Sequence, residues 1–338
     1  MSNISQVKLL ARYDAQSGLT LVELLISILL GLVLIAGVIG VYLESKRNYA
    51  AEEEVARIQE NGRFTLNLLQ RELMMAGFFG GTLKAEDVTP VSVTTDCAAG
   101  DWALDPGVPL EFVNNHTGTS SPVTRNGTTL TCLGGSDIEP GTDVLTIKRT
   151  AGEPSLRRSV KAPGLGTSNT QQWYLRYVSY GDEISWSKIS PAAITALASP
   201  DPGLSYWETY TRVFYIRSYS ETSGDGIPTL CEWALDADAM TSRCLVEGIE
   251  DLHIEFGIDS NADGVADRYL DNPTSAQIAT AVVARVYLLV RSLQTVAGYQ
   301  NTKTYQLGSK PVDAKNDGYL RRVFTTTVQI RNAILPVG

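Results

Sequence analysis

Polar and apolar positions along this 338-residue chain fall into three regimes. From Leu24 to Leu43 run twenty consecutive residues without a charge, mostly Leu, Ile, Val and Gly. That is the length a helix needs to cross the hydrocarbon core of a bilayer. Beyond it, Val55, Ile58, Leu66, Leu69 and Leu73 recur at helical steps, with Glu52, Glu53, Arg57, Glu60, Arg63 and Arg71 between them. The spacing predicts that the helix continues in amphipathic form and ends near Gly77, with Gly62 as a point of loosening. After Gly81 the period changes, and short β-rich segments alternate with Gly, Pro, Asn, Asp and Ser clusters. Strands are predicted at Asp143 to Lys148, Gln172 to Tyr180, Thr209 to Tyr219, Asp251 to Phe256, Ala281 to Arg291 and Arg322 to Arg331. In the last, Phe324, Thr326, Val328 and Ile330 share one face, which suits a half-buried antiparallel strand. Residues 85–142, 150–170 and 190–204 read as loop-rich. The expected fold class is α+β: a long N-terminal transmembrane and stalk helix (residues 19–77, with 19–43 in the membrane), then a β-rich, mainly antiparallel head. The head is expected in two parts, 78–200 and 201–338.

Charge and small residues orient this plan. A secretory signal places its small-residue cleavage site after the apolar stretch, but here Gly18 stands before it, so a cut there leaves the anchor attached. Lys8 and Arg12 precede the span, which puts the short leader, residues 1–18, in the cytoplasm and the large C-terminal body outside. The formal net charge is -9, which disfavours phosphate backbones and excludes nucleic acid as the main partner. Four cysteines, Cys97, Cys132, Cys231 and Cys244, include no CxxC pair. An even count in a translocated protein predicts two disulfides, for which three connectivities are open; nearest-neighbour pairing closes the shortest loops. On the chain-entropy picture those two loops contribute about 4 and about 3 kcal/mol.

One residue breaks the apolar pattern. Glu23 lies five positions after Gly18, and a carboxylate at that depth costs at least a few kcal/mol unless it finds a partner. If the chain is cut after Gly18, the new amine of Leu19 on an adjacent molecule is one such partner, and the pairing would set axial register. The other reading is that Glu23 complements the positive end of its own helix. The segment Gly18-Leu19-Thr20-Leu21-Val22-Glu23, a basic leader before it and an apolar helix after it, resembles the processing motif of type IV prepilins and type II secretion pseudopilins. The resemblance implies removal of residues 1–18 by a membrane prepilin peptidase, N-methylation of Leu19, and an assembly role for Glu23. Leu19 departs from the Phe that often begins mature pilins. Two later segments, Leu245-Val246-Glu247-Gly248-Ile249-Glu250-Asp251-Leu252 and Arg321-Arg322-Val323-Phe324-Thr325-Thr326-Thr327-Val328-Gln329-Ile330-Arg331-Asn332, are similar to PilW-type minor pilins. That likeness implies an inner-membrane protein with a periplasmic head that enters a pilus. The partners it implies are other minor pilins, the major pilin, an inner-membrane assembly platform and a tip adhesin.

A further motif follows the strand ending at Phe256. Asp259, Asn261, Asp263, Val265 and Asp267 stand at the D-x-N-x-D-G-x-x-D spacing of a calcium loop, with Gly264 permitting the sharp turn. Calcium is the expected ligand, although Leu270 replaces the usual bidentate glutamate; a metal-free Asp/Asn/Gly turn is the competing reading. Only His116 and His253 are present; the first reads as loop and the second as a solvent-facing strand residue. No G-x-S-x-G, H-E-x-x-H or Walker loop occurs, so no enzyme is expected. The expected function is therefore that of a minor pilin priming and assembling type IV pili, in support of adhesion, twitching motility or DNA uptake. The alternatives are a type II secretion pseudopilin and a membrane-tethered, calcium-dependent surface-binding module.

Overall fold

The structure, a computed structural model, describes residues 18, 20–80, 87–134, 137–157, 160–163, 165–180, 183–197 and 202–332. Two compact units divide the chain, residues 1–51 and residues 52–338. Helix α1 (Leu21–Met75) begins in the first unit. There every large apolar side chain from Leu21 to Leu43 is exposed. A helix that is apolar all round, with a mean hydropathy of 3.0 over its best window, has the composition of a membrane span.

In the second unit α1 is amphipathic, as its period predicts. It buries Glu54, Ile58, Gly62, Thr65, Leu69, Glu72 and Leu73. The helix stops at Met75, and Gly77 takes the left-handed conformation (φ 75°) that suits a residue just past a helix end. The Gly77 N–H leaves the helix to bond the Lys148 carbonyl at 3.1 Å, so the exit is fixed by the sheet beneath. Gly62 does not loosen the helix. Its bare Cα accommodates the ring of Phe324, and a Cβ there would lie 2.6 Å from the ring, so close packing explains the glycine.

The first sheet holds nine strands. They are β1 (Leu110–His116), β2 (Thr142–Thr150), β3 (Leu156–Arg157), β4 (Val160–Lys161), β5 (Gln172–Val178), β6 (Glu183–Ile189), β7 (Leu204–Arg217), β8 (Thr229–Asp236) and β9 (Ala239–Glu247). A short helix α2 (Pro191–Ala196) separates β6 from β7, capped by the Ser190 hydroxyl accepting from Ala193 N at 3.1 Å. The fourteen-residue β7 organises this sheet: its first half pairs with β3 and β5, and its second half with β2 and β8. The second sheet has the order β11-β10-β12-β15, from β10 (Ile249–Ile258), β11 (Arg268–Leu270), β12 (Ala281–Arg291) and β15 (Arg321–Gln329). Helix α3 (Ser275–Ile278) leads into β12, and a hairpin of β13 (Tyr305–Leu307) and β14 (Lys310–Val312) leads into β15. All strand pairs are antiparallel.

The chain passes from one sheet to the other at Gly248, which sits at φ 78° with the space of a Cβ taken by the Arg291 carbonyl. This boundary does not separate two domains. The division expected near residue 200 falls just before β7, the strand that joins both sides of the first sheet, and residues 52–338 form one unit. One apolar core explains it: Leu69 and Leu73 of α1, Phe112, Leu145 and Phe214 of the first sheet, and Ile254, Phe256 and Val286 of the second belong to the same cluster. Phe112 and Phe256 meet edge to face across the sheets, 5.0 Å between centroids. The Asp143 carboxylate of β2 joins the sheets as well, accepting Asn115 N and Ile254 N at 2.8 Å each.

The helix is held on this core by charge as well as by apolar contact. Glu72, fully buried, receives Arg149 Nε and Nη2 at 2.7 and 2.8 Å and Arg212 Nη1 at 3.0 Å. Removing one partner of such a group leaves an uncompensated buried charge. Glu72→Gln is therefore expected to lower stability by about 3–5 kcal/mol, measured by urea unfolding of the detergent-solubilised chain. A loss below about 1 kcal/mol, the range of exposed ion pairs, would show that the site is wetter than its burial indicates.

Candidate assembly site

Gly18 is exposed, and nothing lies within 4 Å of the position a Cβ would take. Leu19, the residue expected to carry the new amine, lies outside the described residues. Thr20 precedes the first helical residue as its N-cap, and Glu23 is the third residue inside. Their side chains close a reciprocal pair: Thr20 N and Thr20 Oγ1 both donate to Glu23 Oε2 at 2.9 Å, and Glu23 N donates to Thr20 Oγ1 at 3.3 Å. This is a capping box, T-x-x-E, which satisfies donors that the first turn leaves unpaired. Ser27 Oγ adds a bond to the Glu23 carbonyl at 2.7 Å. In the single chain the Glu23 carboxylate thus serves its own helix end. The T-x-x-E spacing is present in the sequence, overlapping the Gly-to-Glu pattern.

The acidic loop closes on its own backbone. Asp259 Oδ1 accepts Asn261, Ala262 and Asp263 N–H at 3.2, 2.7 and 3.3 Å, and Oδ2 accepts Gly264 N at 2.7 Å. Burial works to raise the Asp259 pKa, but these N–H groups outweigh it and hold the carboxyl below its ordinary value. Asp263 Oδ1 takes Val265 N at 2.8 Å, and Asp267 Oδ2 takes Ser260 N at 2.7 Å. Gly264, at φ 84°, provides the turn. The donor set is all oxygen and suits calcium in kind. Among the described residues, however, no three His, Cys, Asp or Glu side chains gather closely enough to hold a metal ion.

Both disulfides follow the nearest-neighbour pairing, Cys97 with Cys132 and Cys231 with Cys244, and no described cysteine is free. The first anchors a loop into the small core around Trp102 and Leu130; the second links directly opposed residues of β8 and β9. Neither histidine is where its sequence context suggested. His116 ends β1 and is buried rather than in a loop. His253 is fully buried, with Nδ1 3.2 Å from Asp143 Oδ2. The reason is that β10 is covered on both faces, so alternation provides no solvent side.

Residues 213–332, from the second half of β7 through β15, match the family model of Type IV Pilus-assembly protein W. Residues 14–39, which contain Gly18 and Glu23, match that of the Prokaryotic N-terminal methylation motif. No curated protein and no solved structure matches the chain. The chain thus resembles pilin-class proteins at its N terminus and PilW-type proteins over residues 213–332, and these similarities point to a structural protein.

The capping pair makes its own prediction. Loss of an N-cap costs about 1 kcal/mol, so Thr20→Val is expected to speed amide exchange of the first helical turn roughly fivefold in lipid nanodiscs. Unchanged exchange there would mean that Thr20 does not hold the helix end.

Proposed function

We propose that this PilW-type, pilin-class chain is a minor pilin: anchored in the inner membrane with its head in the periplasm, cut after Gly18, methylated on Leu19, and then built into a type IV pilus. The observation that carries the reading is the conjunction at one place of an open Gly18, a carboxylate at Glu23 and an apolar, exposed helix beginning there. A segment of this composition is stable in lipid, and the same surface can pack against the helices of other pilins once the molecule is drawn out of the bilayer.

On this reading Glu23 has two states. In the membrane, Thr20 satisfies it and reduces the cost of an intramembrane carboxylate. In the filament, the Leu19 amine of a neighbour competes for Oε2, exchanging a neutral donor for a charged one; charge-assisted bonds are about twice as strong. Register between helices is then set where the exchange succeeds. The head selects the neighbours, which are other minor pilins, the major pilin and a tip adhesin; the peptidase and the inner-membrane platform act before assembly. Adhesion, twitching motility and DNA uptake follow from the filament and not from the head alone.

The loop at Asp259 to Asp267 is a separate proposal. A calcium ion would use Asp259, Asn261, Asp263, the Val265 carbonyl and Asp267, stiffening the β10–β11 connection.

Two measurements test these readings. Glu23→Ala should fractionate with membranes at the normal level while surface pili are largely lost. Normal piliation would sink the assembly role, and a deletion that blocks exoprotein secretion but spares pili would move the chain to type II secretion. Millimolar calcium should raise the melting temperature of the purified chain by about 2–4 °C per kcal/mol of binding linkage. Asp263→Asn should remove the rise; no shift in the wild type would leave the loop a metal-free turn.

A further inference from the structure

The end of α1 and the pair Arg331–Asn332, just beyond β15, line an open groove of about 460 Å³ within the second unit. Its floor is apolar and adaptable, made by Met74, Met75 and Phe78. Phe78 is fixed edge-on against Trp207, 5.8 Å between centroids. The wall is pinned where Asn332 Nδ2 donates to the Met74 carbonyl at 3.2 Å. Two cations line the groove, Arg71 and Arg331, and among the described residues no acidic side chain does.

The charge of Arg71 is only weakly engaged. Among the described residues its acidic partner is Glu72, at 3.9 Å, whose carboxylate already receives Arg149 and Arg212 at 2.7–3.0 Å. The Arg71 side chain is 68% exposed. Arg331 is exposed too, at the end of the second sheet. On a chain with a formal charge of -9, a groove whose described lining carries two exposed guanidinium groups and no carboxylate is a local reversal of sign. Asn67 and Gln70 place amide donors and acceptors along the same rim, the groups that bond an extended peptide backbone.

We propose that this groove docks a segment of another polypeptide that carries carboxylates flanked by aliphatic side chains. The aliphatic groups fill the Met74, Met75 and Phe78 floor, and the carboxylates take the Arg71 and Arg331 forks, for which planar bidentate pairing is the natural geometry. A nucleic acid is disfavoured, since two cations on an acidic chain cannot neutralise a phosphate backbone. The site is distinct from Glu23 and from the helix surface that precedes residue 52, so it does not depend on the filament reading.

The test uses the full chain in nanodiscs of zwitterionic lipid and a fluorescent probe peptide, acetyl-Leu-Glu-Ile-Glu-Leu-amide, read by anisotropy. The peptide should bind, and its Gln-for-Glu counterpart should bind about tenfold or more weakly, the ratio that 1.4 kcal/mol of discrimination gives. Arg71→Glu/Arg331→Glu should reverse the preference toward a Lys-for-Glu peptide, while Arg71→Lys/Arg331→Lys should retain acidic binding at reduced affinity. Unchanged melting of each variant confirms that it is folded. Equal binding of the acidic and Gln peptides, or an unchanged affinity of the Glu variant, would overturn the proposal. So would failure of the peptide to bind while phosphatidylserine vesicles bind in an arginine-dependent way, which would assign the rim to anionic lipid.

Discussion

A carboxylate with almost no access to water, Glu72, determines how the head is organised. Two arginines reach it from β2 and β7, the strands at the centre of the first sheet, while the same helical turn supplies Leu69 and Leu73 to the core shared with the second sheet. A buried ion pair of this kind is weak as a source of net stability, because desolvating three charged groups offsets most of their attraction. Its strength is in discrimination. An apolar helix face could settle on a sheet in several rotations and offsets; only one brings Glu72 under both guanidinium groups, and every other leaves a buried charge without a partner. The helix therefore arrives at the sheets in one pose, and the exit at Gly77 and the Phe324 contact at Gly62 follow from that pose.

Much of this was readable from residue order alone, and the parts that were not share a cause. The membrane span, the amphipathic continuation and its end near Gly77 follow from local period. The strand expected at Ala281 to Arg291 matches β12 at both ends, because β-branched residues and flanking turn residues bound it clearly. β1 was hidden in a stretch rich in Asn, Gly and Pro, and β8 and β9 lie in a region where the alternation is broken by the turn at Ala237. His253 was misread because alternation identifies a solvent face only when one exists. The Glu72 cluster could not have been seen, since its partners are 77 and 140 residues distant. Of the candidate site, Gly18 and Glu23 are visible as a motif, and the Thr20-x-x-Glu23 spacing of the capping box lies in the same six residues.

The two ends of the chain are constrained differently. Near the N terminus, composition decides nearly everything, and substitutions among Leu, Ile and Val preserve the property that matters, an apolar surface of sufficient length. In the head, specific pairs decide: opposed cysteines, a glycine beneath a ring, a carbonyl where a Cβ would stand at Gly248. The matched family region begins at the second half of β7 and covers the whole second sheet, so the part of the head that seats the helix against Phe324 is the PilW-type part.

The glycine beneath that ring has a mechanical consequence. Phe324 occupies a notch in the helix surface at Gly62, with Ile58 and Leu66 one turn away on the same face. For α1 to slide along its axis the ring must ride over one of those side chains, so β15, laddered to β12 and through it to β10, shares the load with the Glu72 ion pairs. The second sheet thus behaves as one plate of a clutch: it engages the shaft at an indexed notch, while the Glu72 ion pairs engage it again further along.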